Sequence, residues 1–333
     1  YDLTIKELED YFISINEKKF RAVQVYEALY KRRIKSFDDM TNISKEVREK
    51  LKQDFSFYKI KMLIKQQGKN VNKYLFELED GNKIESVLMF HDYGTSICVS
   101  SQVGCNMTCA FCESGRLKKV RNLLAYEIVQ QILQIEEDIN KRITHVVLMG
   151  IGEPFDNYDN VLRFVKIINC GKGIDIGSRH ITISTCGVIP GIKKFMNEEG
   201  QVNLAISLHA PNNTLRSRIM PINKAYPLNE LMETIKEYIN KTNRRVTFEY
   251  IMLDNVNDSE ENAKELALLL KGINCYVNLI PYNETENIEF KRTKEWKIMK
   301  FYDILKKNKI NVTIRKEFGG SVDAACGQLR ANN

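Results

Sequence analysis

Long hydrophobic runs are absent from this sequence of 333 residues. No stretch approaches the roughly 18 consecutive apolar residues that a membrane-spanning helix needs. The opening segment, YDLTIKELEDYF, is charged and does not contain the apolar core of a signal peptide. We therefore expect a cytoplasmic protein that does not contact a membrane. Internal repeats and low-complexity segments are not visible either, so nothing indicates a repeat protein.

The composition is that of a soluble protein with a sizeable core, since 43% of the residues are hydrophobic and 28% are charged. The net charge of +7 fits either solubility or a polyanionic partner. The basic runs KKVR and KRR slightly favour the partner, although most of their lysines are expected to be solvated. Eight cysteines in so long a chain do not form a small secreted disulfide framework, and their clustering favours metal or redox chemistry.

The sequence divides into segments of different periodicity. Residues 1–58 predict a helical N-terminal domain, and residues 59–93 predict a short β extension with a turn at DGNK. Residues 94–318 alternate six strand-like runs with amphipathic helical stretches, and a seventh strand-like run, NVTIRKEF, follows. This alternation indicates an α/β fold with a parallel sheet covered by helices. Residues 319–333 are predicted to form a C-terminal loop.

Residues capable of chemistry stand at or near the C-terminal ends of the predicted strands. The run GCNMTCAFC follows the first strand, GIGEP follows the second, STCG and SLH lie in the third and fourth, and PYN follows the sixth. The C-terminal ends of parallel strands meet at one face of the fold. The sequence therefore predicts one functional site at that face.

A fourth cysteine is missing near Cys105, Cys109 and Cys112. A structural zinc site takes four protein ligands, usually as two pairs, so three cysteines without a second pair disfavour zinc. Three inert core cysteines are disfavoured as well. The remaining interpretation is an iron–sulfur cluster. Four thiolates would saturate a [4Fe–4S] cube, whereas three leave one iron open to a substrate or cofactor.

The spacing C-x3-C-x2-C after the first strand of a β/α barrel resembles the radical S-adenosylmethionine (SAM) enzymes. The resemblance implies a partial (β/α)6 barrel, a [4Fe–4S] cluster held by the three cysteines, and SAM bound to the open iron through its amino and carboxylate groups. The run MGIGEP resembles the glycine-rich SAM motif of that superfamily, in which bare backbone lies against the methionine amino group.

A more specific resemblance extends over almost the whole chain. The runs CVSSQVGCNMTCAFC and VDAACGQL are similar to the RlmN/Cfr family of ribosomal RNA adenine methyltransferases, and IESVLM, ISTCG, AISLHAPNN, MPIN and VNLIPYN agree. The resemblance implies that Cys326 carries a methyl group, that Cys98 resolves a covalent adduct and that Glu85 is a general base. It also implies SAM contacts from Gly152, Glu153, Ser184, Ser207, Leu208, His209 and Asn283.

The chemistry implied by this family suits adenine carbons C2 and C8, which are electrophilic and do not attack the electrophilic methyl group of SAM. The Cys326 thiolate takes a methyl group from one SAM, and a radical derived from a second SAM activates that methyl group for addition to the base. Glu85 removes the ring proton. Cys98 attacks the Cys326 sulfur and frees the product, which leaves a disulfide. An external electron donor such as flavodoxin or ferredoxin then restores the thiols.

The resemblance leaves the target carbon open. Pro154 favours the C2 type, which acts on adenine 2503 of 23S ribosomal RNA and extends to adenosine 37 of some tRNAs, because the C8 antibiotic-resistance type often has alanine there. Glu113 and Phe90 depart from the usual family pattern, and neither has an assigned role. We expect the basic N-terminal domain to hold the RNA, with the target base exposed or flipped out, and the protein to be a monomer.

Two other classes of protein stay open at this point. A radical SAM enzyme that modifies peptides would keep the cluster and the barrel, but would not need Cys98, Cys326 and a helical N-terminal domain together. A non-catalytic RNA-binding protein with a structural cluster would not need Glu85 or the two outlying cysteines.

Overall fold

The structure is a computed structural model, and it describes residues 1–315 and 328–329. The described chain begins with three helices: α1 (Ile5–Ser14), α2 (Phe20–Tyr30) and α3 (Lys45–Asp54). Helix α1 starts with a capping box, in which Thr4 accepts a hydrogen bond from the Glu7 amide and the Glu7 carboxylate accepts one from the Thr4 amide. The buried faces of the three helices share one hydrophobic core with the rest of the fold. This arrangement fits the predicted helical N-terminal segment.

Three antiparallel strands follow the helices: β1 (Lys61–Gln67), β2 (Val71–Glu77) and β3 (Lys83–His91). Later strands are β4 (Gly94–Cys98), β5 (Gln102–Val103), β6 (Arg121–Asn122), β7 (His145–Leu148), β8 (Ile181–Thr185), β9 (Asn203–Ser207), β10 (Val246–Met252), β11 (Cys275–Pro281) and β12 (Val312–Ile314). Strand β3 pairs with β4 in antiparallel fashion. The extension therefore continues the main sheet instead of forming a separate one.

The main sheet of the described strands has the order β1-β2-β3-β4-β7-β8-β9-β10-β11-β12, and β5 pairs with β6 separately. All neighbours from β4 to β12 in this order are parallel. The helices that connect them are α4 (Ala125–Ile139), α5 (Tyr158–Asn169), α6 (Ile189–Phe195), α7 (Asn213–Ile219), α8 (Leu228–Thr242), α9 (Glu260–Leu269) and α10 (Glu295–Lys307). The six predicted β/α units and the seventh strand are confirmed.

The parallel strands curve around a shared interior. On β10, Phe248 and Tyr250 are buried in the core with the helices, whereas Thr247, Glu249 and Ile251 line interior cavities. This alternation follows from the two-residue period of a strand. Residues from β7 through β11 line the same cavity, and the edge strands β1 and β12 of the described sheet are not paired with each other. The fold is therefore the predicted partial barrel.

Within residues 1–315 and 328–329, no helix combines the length and the apolar character needed to cross a membrane.

Candidate active site

A cavity opens at the C-terminal ends of the parallel strands. It contains about 820 Å³ of empty space, part of which is open to solvent. We refer to it as the cofactor cavity. The predicted site residues that line it are Cys105, Cys109, Cys112, Gly152, Glu153, Ser184, Ser207 and His209. The fold thus brings together residues that lie more than 100 positions apart in the chain.

The three cysteines lie on a tightly folded loop, residues 104–116. The Cys112 amide donates to the Cys109 carbonyl at 3.1 Å, and the Ala110 amide donates to the Ile219 carbonyl at 2.9 Å. A Cβ atom on Gly115 would lie 3.0 Å from both the amide nitrogen and the carbonyl oxygen of Cys109. The glycine therefore lets the loop close on itself, with the thiols exposed to the cavity.

The electrostatics of the loop favour a cationic group. Burial raises the pKa of the Cys109 thiol, and the neighbouring Cys112 and Cys105 raise it further, whereas Arg216 lowers it. Three thiolates side by side repel one another, so binding to iron compensates both the repulsion and the burial.

The donor set fits a [4Fe–4S] cluster with one open iron. In the described part of the chain, no three His, Cys, Asp or Glu side chains are grouped so as to hold a single metal ion. A cube binds each cysteine through a different iron, so the thiols have to surround the cluster instead of converging on one point. Three thiols that line the cavity without converging on one point meet that requirement.

The glycine-rich run after β7 lies directly against the chain that follows β4. A Cβ atom on Gly150 would lie 2.6 Å from the Val99 carbonyl oxygen, and one on Gly152 would lie 2.6 Å from the Gln102 Cβ atom. Gly152 also has a φ of +110°, which non-glycine residues rarely adopt. Only bare backbone fits here, and it forms one wall of the cofactor cavity.

Glu153 joins the ends of two strands. Its carboxylate accepts hydrogen bonds from the Cys186 amide at 2.8 Å and the Phe155 amide at 3.0 Å, while its own amide donates to Gln102 Oε1 at 2.9 Å. Burial raises the pKa of Glu153, and these hydrogen bonds act in the opposite direction. Both carboxylate oxygens are used within the protein, so the side chain holds the end of β7 against the end of β8.

His209 presents a neutral imidazole to the cavity. The Ile251 amide donates to its Nδ1 atom at 3.0 Å, so the ring proton is on Nε2. Burial lowers the pKa of His209 to about 3, with a further contribution from Arg216. The ring meets the edge of Phe111 with centroids 4.9 Å apart. The Nε2–H group is therefore a fixed hydrogen-bond donor.

Arg216 supports this wall from behind and is fully buried. Its guanidinium donates to the carbonyl oxygens of Cys186 at 2.6 Å, Leu208 at 3.2 Å and Ser207 at 3.4 Å, and to Asn223 Oδ1 at 3.0 Å. The three carbonyls follow or end β8 and β9. One cation thus fixes the two strand ends that carry Ser184 and Ser207.

A second group of predicted residues, Glu85 and Cys98 together with Lys73, lies on the antiparallel side of the sheet. We refer to it as the base-side group. The register places Val87 opposite Cys98, so Glu85, two residues earlier, faces the same side of the sheet as Cys98. Glu85 is 4% exposed, and its Oε1 atom lies 3.1 Å from Lys73 Nζ. The structure thus brings a carboxylate and a thiol to one face.

The base-side group borders the cofactor cavity without lining it. Cys98 pairs with Val147 on β7, and Met149, two residues further along, lines the cavity. Cys98 is buried in an apolar cluster that includes Leu329. The Leu329 carbonyl in turn accepts a hydrogen bond from Ser114 Oγ of the cysteine loop at 2.6 Å. Cys326 lies outside the described residues.

Comparison with known proteins identifies the family. The radical SAM superfamily matches residues 99–267, and the ribosomal RNA large subunit methyltransferase N-terminal domain matches residues 1–56. A probable dual-specificity RNA methyltransferase RlmN from Spiroplasma citri is 55% identical, with 98% of this chain and 96% of that protein covered. The chain belongs to the RlmN family. A protein of the same description from Streptococcus thermophilus is 55% identical, with 100% of this chain and 88% of that protein covered. Another from Enterococcus faecalis is 54% identical, with 99% of this chain and 95% of that protein covered.

Solved structures agree with this membership. A radical SAM methyltransferase from Sphaerobacter thermophilus superposes on this RlmN-family chain with a TM-score of 0.94 at 41% identity, covering 100% of this chain and 99% of that one. SuiB from Streptococcus suis, at 16% identity and a TM-score of 0.51, covers 68% of this chain and 51% of that one and shares the fold alone. Membership of the radical SAM superfamily makes a [4Fe–4S] cluster and SAM the cofactors of the chain, as predicted.

Two predicted SAM contacts of this RlmN-family chain lie away from the cavity lining. Leu208 is fully buried in the hydrophobic core, because its side chain points away from the barrel interior while Ser207 points into it. Asn283 is half-buried two residues beyond the end of β11 and is not among the lining residues. The roles predicted for these two residues require contact through the backbone or through a movement of the loop.

Other residues of the site were missed by sequence reasoning. Glu249 and Arg315 line the cavity but stand in or beside hydrophobic strand-like runs. Glu249 could have been predicted, because it is a charged residue at an inward position of the strand-like run RVTFEYIML. Cys186, which the sequence analysis did not single out, also lines the cavity. Arg216 carried no signal, since its role depends on contacts between separate strands.

The two departures from the family pattern have different surroundings in the RlmN-family fold. Glu113 is 4% exposed, and its carboxylate lies 3.5 Å from Asn287 Nδ2 and 3.9 Å from Arg116 Nε. It therefore places a buried acidic group directly after the last cysteine of the loop. Phe90 packs partly buried against the main core and is distant in sequence from that loop.

Proposed function

We propose that the chain is a radical SAM methyltransferase that methylates carbon 2 of an adenine in 23S ribosomal RNA and also acts on transfer RNA. The observation that carries this proposal is the full-length similarity to proteins described as probable dual-specificity RNA methyltransferases. Two RNA classes are a natural meaning of dual specificity. Pro154, which is buried at the start of the turn Pro154–Asn157, favours the C2 type as argued above.

The proposed roles follow the two groups of the site. When bound, the cluster and SAM supply the methyl group and the radical that activates it. Cys105, Cys109 and Cys112 hold the cluster, and the Gly152 backbone, the His209 Nε2–H group and the serine hydroxyls bind and orient SAM. Glu153 keeps the strand ends in place. Backbone contacts from Leu208 and Asn283 complete this set.

Glu85 is proposed as the base that removes the proton from the ring carbon. It is buried, which keeps water from the reacting carbon. The ion pair with Lys73 and the hydrogen bond from Ser100 Oγ to the Glu85 carbonyl at 2.6 Å fix the position of the carboxylate. A fixed carboxylate on the face that borders the cofactor cavity is suited to general base catalysis.

Cys326 and Cys98 are proposed as the methyl carrier and the resolving thiol. Leu329, which packs in the Cys98 cluster, is three residues from Cys326, and three residues of extended chain span at most about 11 Å. This short tether supports a meeting of the two thiols. Thiol exchange between them releases the product and forms a disulfide.

The remaining partners are proposed from charge and chemistry. The net charge of +7 favours RNA binding, with the N-terminal domain as the main holding surface. A disulfide and an iron–sulfur cluster both need electrons, which we assign to a flavodoxin or ferredoxin. We also propose a monomer that works in the cytoplasm, where RNA and these donors are found.

The test is an anaerobic reaction of the reconstituted protein with ribosomal RNA and with transfer RNA. Nucleoside mass spectrometry against 2-methyladenosine and 8-methyladenosine standards reports activity and position together. We expect 2-methyladenosine from both RNAs. The 8-methyl product would replace the C2 assignment, and SAM cleavage without any methylated nucleoside would refute RNA methylation.

A matched pair of cysteine variants tests the thiol roles. Cys326→Ala has no thiol to methylate, so we expect no product and no adduct. Cys98→Ala should load the methyl group and bond to the base, but should stall because no thiolate attacks the Cys326 sulfur. The measurement is a denaturing gel with labelled RNA, treated with nuclease and then with protease. Full activity of Cys326→Ala would contradict the assignment, as would a Cys98→Ala protein without crosslink.

A further inference from the structure

A row of polar side chains crosses the barrel interior at the level of the cofactor cavity. The strand register places Ser207, Glu249, Asn278 and Thr313 side by side on β9, β10, β11 and β12. Thr313 Oγ1 lies 3.0 Å from Asn278 Oδ1, and Asn278 Nδ2 donates to Glu249 Oε1 at 2.9 Å. Interiors of parallel barrels are usually filled by branched apolar residues, so a connected polar row requires an explanation.

One carboxylate oxygen of this row does not take part in its hydrogen bonds. Glu249 is 4% exposed, and its second carboxylate oxygen, Oε2, has no hydrogen-bond partner among the described residues. A buried acceptor without a partner destabilises the folded protein, and such atoms in native proteins call for an explanation. The Asn278 amide occupies Oε1, so the carboxylate cannot turn to satisfy both oxygens with one partner. The oxygen Oε2 is therefore available to accept a hydrogen bond from a bound ligand.

The position of Glu249 limits where that donor comes from. Together with Met149 and Arg315 it lines both the cofactor cavity and a second chamber below it, on the side of Thr247 and Thr182. These three side chains thus form the floor of the cofactor cavity. Arg315 Nη1 lies 3.8 Å from Met149 Sδ. Burial raises the pKa of Glu249, and the Arg315 charge acts in the opposite direction. In its ionised form, which the Arg315 charge stabilises, the carboxylate only accepts hydrogen bonds.

The neighbours of Glu249 indicate the kind of donor. Ser207 is directly beside it in the register, and Ser184 Oγ lies 3.5 Å from Ser207 Oγ. A site that pairs a carboxylate with serine hydroxyls suits a ligand group that both donates and accepts. A ribose hydroxyl does both, whereas an amino group only donates. Acidic side chains at the C-terminal edge of a parallel sheet hold ribose hydroxyls in dinucleotide-binding folds.

We propose that Glu249 is a SAM-binding residue whose Oε2 atom accepts hydrogen bonds from the ribose hydroxyls of the cofactor. Asn278 and Thr313 are positioning residues, because their hydrogen bonds hold the carboxylate with Oε2 unoccupied. The inference rests on SAM as the cofactor of this family and does not depend on which RNA is methylated.

The experiment measures SAM affinity, without RNA, by equilibrium dialysis of the anaerobically reconstituted protein. Wild type and Glu249→Gln are compared with SAM and with analogues that lack the 2′- or the 3′-hydroxyl. We expect Glu249→Gln to bind SAM about tenfold more weakly, the usual effect of losing a hydrogen bond to a charged group. We also expect a deoxy analogue to bind wild type about tenfold more weakly than SAM does, while Glu249→Gln no longer distinguishes the two.

Wild-type affinity in Glu249→Gln would overturn the proposal. So would equal discrimination against the deoxy analogues by both proteins, because the ribose acceptor would then be another group. A third analogue, which does not have the adenine amino group, tests whether that amino group is the donor to Oε2 instead. If Glu249→Gln binds this analogue and SAM equally well but still binds the deoxy analogues more weakly than SAM, the ribose assignment is wrong.

Two threonine variants keep the test decisive if Glu249→Gln does not fold. Thr313→Val removes the hydrogen bond that orients Asn278 and should reduce discrimination against the deoxy analogues by about twofold to threefold, in line with a weak neutral hydrogen bond. Thr247→Val makes the same change two residues from Glu249, in the lower chamber, and should leave affinity and discrimination unchanged. Identical behaviour of the two threonine variants would overturn the positioning role. A negative result would leave RNA methylation intact, since binding is measured without RNA.

Discussion

The cofactor cavity and the base-side group are adjacent on one sheet but differ in construction. The cavity is lined by thiols, bare glycine backbone and hydroxyls contributed by loops and strand ends. The base-side group consists of a buried ion pair and a buried thiol inside antiparallel strands. The first arrangement is open to a ligand, whereas the second is fixed by the sheet.

This difference indicates a division of labour. Loops and strand ends can shape a pocket around a large cofactor, and strand interiors hold a few groups at fixed positions. If the division is correct, damage to the cavity abolishes every activity of the protein. Damage to the base-side group should abolish RNA methylation alone. The predictions below test this separation, from the largest expected effect to the smallest.

The largest effect is expected from Cys109→Ala. With two thiols the cluster should not be retained, so iron content should fall from about four atoms per chain to nearly none, and SAM cleavage and methylation should fall to background. Iron analysis of anaerobically purified protein and detection of 5′-deoxyadenosine provide the measurement. Cys275→Ala, at a buried position on β11 away from the cavity, is the control and should keep its iron. Normal SAM cleavage by Cys109→Ala would contradict the assignment of the cluster to the cofactor cavity.

Glu85→Gln should separate the two groups. We expect normal iron content and normal SAM cleavage, but RNA methylation reduced by about 100-fold to 10,000-fold, the usual contribution of a positioned base. The control is Glu77→Gln at the end of β2, where the carboxylate makes a surface ion pair with Lys61 at 3.4 Å and should be dispensable. If Glu85→Gln methylates RNA at the wild-type rate, the base lies elsewhere.

Acid should weaken the cavity first. His209 has a pKa lowered by burial to about 3, against about 6.5 in the unfolded chain. A depressed pKa means that its contribution to stability is complete above pH 6.5 and is lost as the pH falls, by about 1.4 kcal/mol per pH unit between 6.5 and 3. Denaturant unfolding between pH 7.5 and 5.0 measures this slope. His209→Gln should show a shallower slope, and an unchanged slope would refute the burial argument.

The smallest effect is expected at the turn that precedes Glu85. The Arg121 guanidinium, hydrogen-bonded to Asp80 at 2.6 Å, holds the pKa of that carboxyl well below its usual range. Its contribution is present above the unfolded pKa of about 3.9 and is lost as the pH falls below that value. Because Asp80 is largely exposed, Asp80→Asn should cost less than about 1 kcal/mol at pH 7. The difference from wild type should shrink as the pH falls from about 3.9 towards the lowered pKa of the folded state, and a difference that grows in acid would contradict this sign.

Much of the fold followed from periodicity in the sequence. The amphipathic stretches predicted between the strands include the helices Ala125–Ile139 and Leu228–Thr242, because their apolar faces repeat over several turns. Helix Asn213–Ile219 was not predicted, since seven residues with mixed polarity carry little period. It depends on the Asn212 cap, which accepts from the Leu215 amide at 2.9 Å.

The candidate site was less predictable, because it depends on which strands are neighbours. The predicted strand ends placed the cysteines, Gly152 and His209 at the site. The pairing of the extension with β4 could not be predicted from the residues. The role of Glu249 emerges only from the register across four strands. Arg216 likewise acquires its function from carbonyls that are distant in sequence.

The pairing of β3 with β4 has a consequence for how tolerant the enzyme is to change. The two strands are joined at Asp92 and Tyr93, with His91 opposite Gly94, and a Cβ atom on Gly94 would lie 2.4 Å from Thr144 Oγ1. Lengthening this distant hairpin by one residue would shift the register and turn one strand's side chains to the other face of the sheet. Glu85 and Cys98 would then no longer share a face. A single inserted residue far from the cluster could thus silence the chemistry without touching any reacting atom.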